Sequence, residues 1–288
     1  MEIVVVAKES KYEYEQRKFG LTNAQLAEKY KSEHANLKAI LTSHDVQLTS
    51  RKKILSLFPS AKLMMMSNLH ASISADLVIS LGGDNSFTYT SHFVVDTPIA
   101  GINSDPSRST GALCGWNDIF AFADMWKKMA YKKEAWIRLN AIIDGKQITP
   151  ATCEYFLGEK LRKDMSRHIL VYRGREYEQK SSGVLIVTGA GSTGWYDTAG
   201  RYHFPKGNRF AKTEKKARFL ITEPFRYEKE KDLYAGELLP GEEVILYSLN
   251  DGQGYATADC WDEYDFSRGK KASIRISDSP LHVVVPHI

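Results

Sequence analysis

The sequence has little cysteine and no long apolar run. Its 288 residues include three cysteines, Cys114, Cys153 and Cys260, which are far apart and form no CxxC pair. This spacing indicates neither a disulfide framework nor a zinc site, and a reducing, cytoplasmic compartment is the simplest expectation. The longest apolar runs are too short to span a membrane, and the apolar start lacks the basic flank of a signal peptide. We therefore expect no membrane association.

An excess of charge of one sign is also lacking. The chain has 39 Lys and Arg against 35 Asp and Glu, for a formal net charge of +4. So small an excess does not predict a nucleic-acid partner, although it suits a protein that handles small anions. No GxxxxGK[ST] sequence is present either. Its absence excludes the usual P-loop, so any phosphate site must belong to another class.

The order of apolar runs predicts two domains. In residues 1–134, short apolar runs alternate with stretches of helical spacing, which is typical of an α/β layer. The predicted strands there are 3–6, 76–81 and 98–102, and the predicted helices lie within 21–57 and 117–133.

The pattern changes near Trp136. From that point, short apolar runs alternate with turn signals, and helical periodicity is nearly absent. This pattern predicts a β-rich, β-sandwich-like C-terminal domain over residues 135–267. The final segment, about 268–288, holds one more strand that could return to the α/β domain.

The first motif with chemical content is Gly82-Gly83-Asp84-Asn85, which directly follows a predicted strand. Two glycines at the end of a strand allow a ligand to approach the backbone closely, and their amides can bind phosphate oxygens. The carboxylate that follows lies where ligands bind in open α/β sheets, and it can accept a hydroxyl proton. A plain turn in which Asp84 caps the next helix remains an alternative.

The second motif, residues 189–194, has the spacing GxGxxG and follows the apolar run 184–187. This spacing indicates a dinucleotide-binding Rossmann unit only if a helix begins at once. Gly200 and Pro205 interrupt the following stretch, and the motif lies in the β-rich half. We therefore do not interpret it as a Rossmann fingerprint, while a Gly/Ser-rich hairpin loop stays open.

Together the two motifs resemble the NAD kinase family. That family has GGDGT after a strand of an α/β domain, then an Asn-Glu pair, and then a segment like TPTGSTAY in a β domain. Residues 82–86 resemble the first element and residues 188–195 the last. The stretches 101–106 and 181–183 resemble the mitochondrial-type branch. Order and spacing are similar from about residue 75 to residue 200.

The resemblance implies an NAD kinase-like fold with its site in the cleft between the domains. It also implies an enzyme, a phosphotransferase with an alcohol acceptor that converts NAD to NADP. Asp84 would take the proton from the adenosine ribose 2′-hydroxyl, which would then attack the terminal phosphate of ATP or polyphosphate. Gly82, Gly83 and Asn85 would bind the nucleotide phosphates. Mg²⁺ or another divalent cation would neutralise charge, with its ligands unknown.

The same resemblance implies a first group of NAD-binding residues. Cys153 and Glu154 match the Asn-Glu pair, so Glu154 would hydrogen-bond a ribose. Thr193, Gly194 and Trp195 match a Thr-Ala-Tyr segment that packs on NAD, and Trp195 offers a flat aromatic face for stacking.

Two more residues and the expected assembly follow from the resemblance. Thr198 matches a serine that contacts the adenine end of NAD. Ser182 matches a position at which many members have an Asp that meets the NAD of a neighbouring subunit. The family therefore implies a homo-oligomer, expected to be a dimer, with NAD as the substrate and no nucleic acid.

Two alternatives stay open, and departures from the family pattern support the first of them. Asn85 replaces the third glycine of GGDG, Cys153 replaces Asn, and Gly189 and Ala190 replace Pro and Thr. One alternative is a non-catalytic NAD- or nucleotide-binding protein on the same fold. The other is a lipid or sugar kinase of the same superfamily. The Gly-Ser-Thr loop followed by an aromatic residue favours a dinucleotide over either of these acceptors.

Overall fold

A computed structural model describes residues 1–201, 207–225 and 233–287. The chain divides into two compact units, one of Met1–Glu134 with His282–Ile288 and the other of Ala135–Leu281. Of the C-terminal segment from about residue 268, only the part from His282 onward therefore lies in the first unit. Among the helices of the described ranges, none combines the length and the apolar character that a membrane crossing requires.

The first unit contains one six-stranded sheet, and five helices lie between its strands along the chain. Its strands are β1 (Ile3–Ala7), β2 (Lys62–Met65), β3 (Leu77–Gly82), β4 (Ile99–Asn103), β5 (Tyr131–Trp136) and, near the end of the chain, β18 (Leu281–Pro286). The strand order is β2-β1-β3-β4-β18-β5, and β1 pairs in parallel with both β2 and β3. Every residue of β1, β3 and β4 is buried, as expected for central strands of a parallel sheet.

The helices of the first unit begin and end at clear sequence signals. They are α1 (Lys11–Phe19), α2 (Asn23–Ser32), α3 (Leu37–Leu57), α4 (Asp84–Ser91) and α5 (Ile119–Lys127), with a short 3₁₀ turn at Met66–Asn68. Ser10 and Glu13 form a capping box at α1, and Gly20 ends that helix with a φ of 63°. The predicted helix over 117–133 was too long, because α5 ends at Lys127 and β5 begins at Tyr131.

The strand order determines where this unit can bind a ligand. The chain leaves β1 toward β2 on one side and returns at β3 on the other side of β1. Ligands of open α/β sheets bind at the carboxyl ends of strands where the order reverses in this way. Gly83 and Asp84 directly follow β3 and therefore lie at this edge.

The second unit contains two six-stranded antiparallel sheets. Its strands are β6 (Leu139–Ile143), β7 (Lys146–Gln147), β8 (Glu154–Glu159), β9 (Ser166–Tyr172), β10 (Arg175–Ser181), β11 (Gly183–Val187), β12 (Ala217–Thr222), β13 (Ala235–Leu238), β14 (Glu243–Ser248), β15 (Gly254–Ala258), β16 (Asp262–Asp265) and β17 (Lys271–Ile276). One sheet has the order β10-β9-β14-β17-β6-β7 and the other β13-β12-β11-β8-β15-β16.

The two sheets of this unit share one apolar core. Leu170 and Ile274 from the first sheet and Tyr155, Val184 and Phe219 from the second belong to a single buried cluster. Two antiparallel sheets that bury one face each against a common core form a β-sandwich. The predicted fold, an α/β part followed by a β-sandwich-like part, is therefore confirmed.

Candidate functional site

Two glycines at the end of β3 are closely packed against serine side chains. A Cβ atom at Gly82 would lie 2.2 Å from the Ser86 Oγ, and one at Gly83 would lie 2.6 Å from the Ser109 Oγ. Real Cβ contacts are not that short, so a side chain at either position would displace a neighbour. The packing of the unit itself thus accounts for both glycines, and their predicted phosphate contacts remain a prediction.

The Asp84 carboxylate is held by the backbone of a distant loop. Its Oδ2 accepts the N–H of Ala112 at 3.1 Å, and its Oδ1 accepts the N–H of Leu113 at 2.7 Å. No side-chain hydrogen bond caps α4, so Asp84 does not have the capping role considered from the sequence. Each carboxylate oxygen has two lone pairs, which leaves one on each oxygen for a substrate hydroxyl. The neighbouring Asn85 is exposed.

Asn103 shapes the loop that reaches Asp84. The Asn103 side chain accepts the N–H of Asp105 at 3.2 Å and donates to the carbonyl of Ser109 at 3.0 Å. Gly111 has a φ of 62°, and a Cβ there would lie 2.6 Å from the Asn103 Nδ2. Asn103 therefore fixes the turn that carries the two amides to Asp84. Its role was not predicted, although it lies in the stretch 101–106 that the sequence resemblance had marked.

A buried carboxylate fixes the backbone before and at the start of β8. Asp259 accepts the N–H groups of Thr152, Cys153 and Glu154 at 2.8, 2.7 and 2.9 Å. It does so from a left-handed conformation with φ of 49°, which Asp adopts more readily than most residues. No sequence signal pointed to Asp259, because its partners lie more than 100 residues away.

The Gly-rich loop lies directly on the Cys153–Glu154 backbone. A Cβ at Gly191 would lie 2.3 Å from the Cys153 carbonyl oxygen and 3.0 Å from the Glu154 Oε2. One at Gly189 would lie 2.1 Å from the Ala211 carbonyl oxygen. The NAD kinase family pattern has a proline at this position. In this chain the Ala211 backbone occupies the space that a proline ring at position 189 would need.

The local structure around this loop excludes a Rossmann unit. The motif follows β11, which pairs in antiparallel with β8 and β12. After it come a 3₁₀ turn at Gly191–Thr193 and α6, a helix of only five residues (Trp195–Ala199). A dinucleotide fingerprint requires a βαβ unit with a full helix, so the prediction that residues 189–194 are not a Rossmann fingerprint is confirmed.

The Glu154 carboxyl group has acidic neighbours. Burial raises the pKa of Glu154 to about 8, and the nearby Asp259 carboxylate adds to the rise. The Cys260 thiol donates to the Glu154 Oε1 at 3.7 Å. Desolvation and the two carboxyl groups in turn raise the pKa of Cys260 to about 11. A protonated Glu154 can donate a hydrogen bond as well as accept one, which suits contact with a ribose hydroxyl.

Two of the predicted NAD-binding residues line one cavity of about 300 Å³ in the second unit, and a third, Ser182, contacts a residue of its lining. Trp195 and Thr198 line this cavity together with Arg162 and Glu223. Arg162 pairs with one Glu223 carboxylate oxygen at 2.6 Å, and the Ser182 hydroxyl donates to the other. Arg162 and Glu223 were not predicted.

Trp195 connects this cavity with the Cys153–Glu154 pair. The Trp195 side chain is 41% exposed, and its ring packs 5.1 Å from that of Phe156. Phe156 follows Glu154 by two positions in β8, so both lie on the same face of that sheet. The structure thus brings Glu154 and Trp195 to one sheet face.

For Thr193 and Gly194, the last two predicted NAD-binding residues, the structure shows contacts within the loop itself. The Thr193 hydroxyl donates to the Ala190 carbonyl at 3.2 Å. A Cβ at Gly194 would meet its nearest neighbour at 3.7 Å, an ordinary contact. Packing therefore does not require glycine at 194, in contrast to 189 and 191.

The relatives found by comparison with curated proteins are named NAD kinases or NADH kinases. The protein named NAD kinase 2, mitochondrial, of Rattus norvegicus is 24% identical over 249 residues, covering 67% of this chain and 59% of that protein. The probable NADH kinase of Oryza sativa subsp. japonica is 26% identical over 202 residues, covering 61% and 60%. The chain thus spans about three fifths of the length of these relatives. No family model matches.

Solved structures share the fold over nearly the whole chain. An NAD kinase from Archaeoglobus fulgidus in complex with ATP has a TM-score of 0.64 at 16% identity and covers 98% of this chain and 93% of its own. Yeast NADH kinase complexed with NADH has a TM-score of 0.69 at 12% identity and covers 100% and 84%. The NAD kinase-like fold and the resemblance to the NAD kinase family, its mitochondrial-type branch included, are therefore confirmed.

Proposed function

We propose that this chain, with its NAD kinase fold and its NAD kinase relatives, phosphorylates the adenosine ribose 2′-hydroxyl of NAD to give NADP. ATP is the proposed donor, because one protein of the same fold is described in complex with it; polyphosphate is the second candidate. Asp84 acts as the general base. The observation that carries the proposal is an oriented carboxylate, Asp84, that directly follows β3 at the strand-order reversal.

The proposed role of Asp84 rests on its orientation. Two backbone N–H groups fix both of its oxygens, yet each oxygen keeps a lone pair for the ribose hydroxyl. Proton removal by Asp84 would raise the nucleophilicity of the 2′-oxygen as it attacks the terminal phosphorus. Gly82, Gly83 and Asn85 would bind the donor phosphates. A general base contributes roughly 10²- to 10⁴-fold to a rate.

A divalent cation fits the oxygen donors at this turn. Mg²⁺ prefers one or two protein oxygens together with nucleotide phosphates, and Asp84 and Asn85 offer a carboxylate and an amide oxygen. These two residues would hold the ion, which would neutralise phosphate charge. Asp105 is a poorer candidate, because hydroxyl groups of Ser43 and Ser107 already donate to its oxygens at 2.7 and 2.6 Å.

The second unit would bind the dinucleotide. Glu154 would hydrogen-bond a ribose, supported by the Cys153 backbone that Asp259 fixes. The exposed face of Trp195 would stack on a flat ring, and Thr198 would contact the adenine end. Thr193 and Gly194 would follow the backbone of the ligand.

The remaining parts of the proposal concern assembly and compartment. Ser182 would face a neighbouring subunit's NAD in a homodimer, which an oligomer-state measurement would check. The proposed compartment is the cytoplasm, although several relatives are named mitochondrial. The chief alternative is a non-catalytic NAD-binding protein. It is supported by Asn85, which is exposed and replaces the third glycine of the GGDG motif.

The test is direct. Purified chain is incubated with NAD, ATP and Mg²⁺, and the product is measured with an NADP-specific dehydrogenase. NADP formation supports the kinase; polyphosphate and NADH run beside it to identify donor and acceptor. If no donor yields NADP while calorimetry records NAD binding, the kinase assignment fails and the binding protein stands.

A further inference from the structure

Lys8 is the first residue after β1, at the same edge of the sheet where Asp84 follows β3. The strand order β2-β1-β3 places the reversal at these two strands, since the chain leaves β1 toward β2 and returns at β3 on the other side. The crevice at such a reversal lies between the segments that follow the two strands. One wall of the crevice therefore begins at Lys8, and the other is the Gly83–Asp84 turn.

The Lys8 side chain packs on the glycine turn. Its backbone N–H donates to the Leu81 carbonyl at 3.3 Å, which extends the pairing of β1 with β3 by one residue. Its Cδ would lie 3.5 Å from a Cβ on Gly82, and the residue is half-buried. The aliphatic stem thus lies against the turn, while the ammonium group, two bonds beyond Cδ, is within reach of a ligand bound there.

The acidic residues that follow Lys8 in sequence have other partners. Glu9 pairs with Arg17 at 2.7 Å, and Glu13 pairs with Arg51 at 2.6 Å. In the part of the chain that the structure describes, no carboxylate forms an ion pair with Lys8. Its positive charge is therefore not used in the ion pairs around α1.

Asp105 does not take up this charge either. The Lys8 charge acts on the Asp105 carboxylate without a direct ion pair. The two Asp105 oxygens accept hydroxyl groups instead, from Ser43 at 2.7 Å and from Ser107 at 2.6 Å. An ammonium group has three N–H donors and no acceptor. Lys8 can therefore offer its donors to an anionic ligand in the crevice.

The helices that follow the two strands begin differently. At the start of α1, Ser10 and Glu13 form a capping box that satisfies backbone N–H groups. No side chain caps α4, which begins at Asp84 directly after Gly83. The first N–H groups of a helix favour an anion, most of all where no side chain accepts from them. An anion at the start of α4 would meet these amides and the Lys8 ammonium together.

We propose that Lys8 binds the terminal phosphates of the phosphoryl donor. This inference rests on the proposed function, in which Asp84 on the other wall of the crevice is the base. The chain lacks the P-loop sequence, whose lysine neutralises nucleotide phosphates in other enzymes. Lys8 supplies a cation for the same purpose from the end of a strand, and it keeps its proton throughout.

The chemistry that Lys8 recognises is a phosphate chain, which ATP and inorganic polyphosphate share. A lysine ammonium is a compact point charge and reads neither the ribose nor the base of a nucleotide. Loss of the Lys8 charge should therefore weaken the binding of ATP and of tripolyphosphate by similar factors.

The test is a calorimetric titration of the full chain with ATP and Mg²⁺, and separately with tripolyphosphate, in the absence of NAD. Lys8→Met removes the charge and keeps an unbranched side chain that can pack on Gly82. It should weaken the binding of both ligands about 10- to 100-fold, the range for loss of one hydrogen bond to a charged group. Lys8→Arg keeps the charge and should retain most of the affinity.

The matched control is Lys11→Met. The Lys11 ammonium pairs with Glu15 at 2.6 Å on the surface of α1, and its side chain is 59% exposed. This variant should bind both ligands like the wild type. The urea midpoint of Lys8→Met should also match that of the wild type, because no ion pair is lost. A purely structural role of Lys8 would instead lower that midpoint.

The outcomes separate Lys8 from the proposed kinase activity. Unchanged affinity of Lys8→Met for both ligands would overturn the proposal, and so would a loss confined to ATP, which would place Lys8 at the nucleoside. If Lys8→Met weakens the binding of both ligands while the wild type makes no NADP, Lys8 remains a phosphate-binding residue and only the kinase function fails. If NADP forms and Lys8→Met leaves the KM for ATP unchanged, the kinase stands and the role of Lys8 is wrong.

Discussion

Asp259→Asn should destabilise the second unit far more than its one-atom change suggests. The carboxylate accepts three backbone N–H groups at 2.7–2.9 Å, and hydrogen bonds to a charged acceptor contribute about 1.5–3 kcal/mol each. An asparagine oxygen in the place of Oδ1 keeps the bonds to Cys153 and Glu154. Its NH₂ group then faces the N–H of Thr152, which loses the Asp259 oxygen as its acceptor.

The expected loss is about 2–3 kcal/mol of unfolding free energy. Asparagine tolerates the left-handed backbone at this position, so no conformational cost is added. Removal of the charge also lowers the pKa of Glu154, because Asp259 contributes to its rise. That relief offsets part of the free energy that is lost with the Thr152 hydrogen bond and with the weaker bonds that a neutral acceptor makes to Cys153 and Glu154.

The assay is urea unfolding in which hydrogen exchange in peptides from β8 and β11 is the readout. Local exchange is preferred, since a chain with two units need not unfold in one step. Asp251→Asn is the matched control. Asp251 pairs with Arg167 and Arg268 at the surface, where such pairs contribute about 0–1 kcal/mol. Losses that agree within about 0.5 kcal/mol for the two variants would refute the reasoning.

Three further predictions concern single side chains. Gly189→Ala should cost about 1–3 kcal/mol of stability or more, because its Cβ would lie 2.1 Å from a carbonyl oxygen, whereas Gly207→Ala, with nothing within 4 Å, should be nearly neutral in the same urea unfolding assay. Burial lowers the pKa of His168 to about 3. In the unfolded chain this imidazole takes up a proton below its ordinary pKa of about 6.5, whereas the folded protein keeps it neutral. Between pH 7 and pH 5 this group should therefore lower the free energy of unfolding by about 2 kcal/mol. In His168→Leu the free energy of unfolding, measured against pH, should fall less steeply over that range. Trp195→Ala should weaken NAD binding about 5- to 100-fold by calorimetry through lost stacking, while Trp261→Ala, a similarly exposed tryptophan, should not; equal losses would contradict the assignment.

The parts of the fold that the sequence predicts are those with strong local patterns. The buried runs of β1, β3 and β4 are continuous apolar stretches, which is typical of central parallel strands. By contrast, β8 reads EYFLGE, and its polar first residue and its glycine give only a weak strand pattern. The first three residues of β5 were included in the predicted helix over 117–133, because the charged residues of β5 continue the pattern of α5.

In the candidate site too, residues in local motifs could be predicted from the sequence, and residues that meet only through the tertiary fold could not. Asp84 and the Gly-rich loop have motifs of adjacent residues, so both could be identified from the sequence. The amides of Ala112 and Leu113 that hold Asp84 lie 28 and 29 residues further along the chain. Asp259 lies more than 100 residues from Cys153. Contacts that depend on the tertiary fold at such separations leave no periodic or motif signal in a single sequence.

The central claim, that Asp84 is the base of an NAD kinase, is tested most directly by the turnover number of Asp84→Asn. NAD affinity, which the proposal assigns to residues of the second unit, is measured beside it by calorimetry. The variant should bind NAD like the wild type and form NADP roughly 10²- to 10⁴-fold more slowly, the range for loss of a general base. Turnover at the wild-type rate, with NAD bound equally well, would contradict the claim.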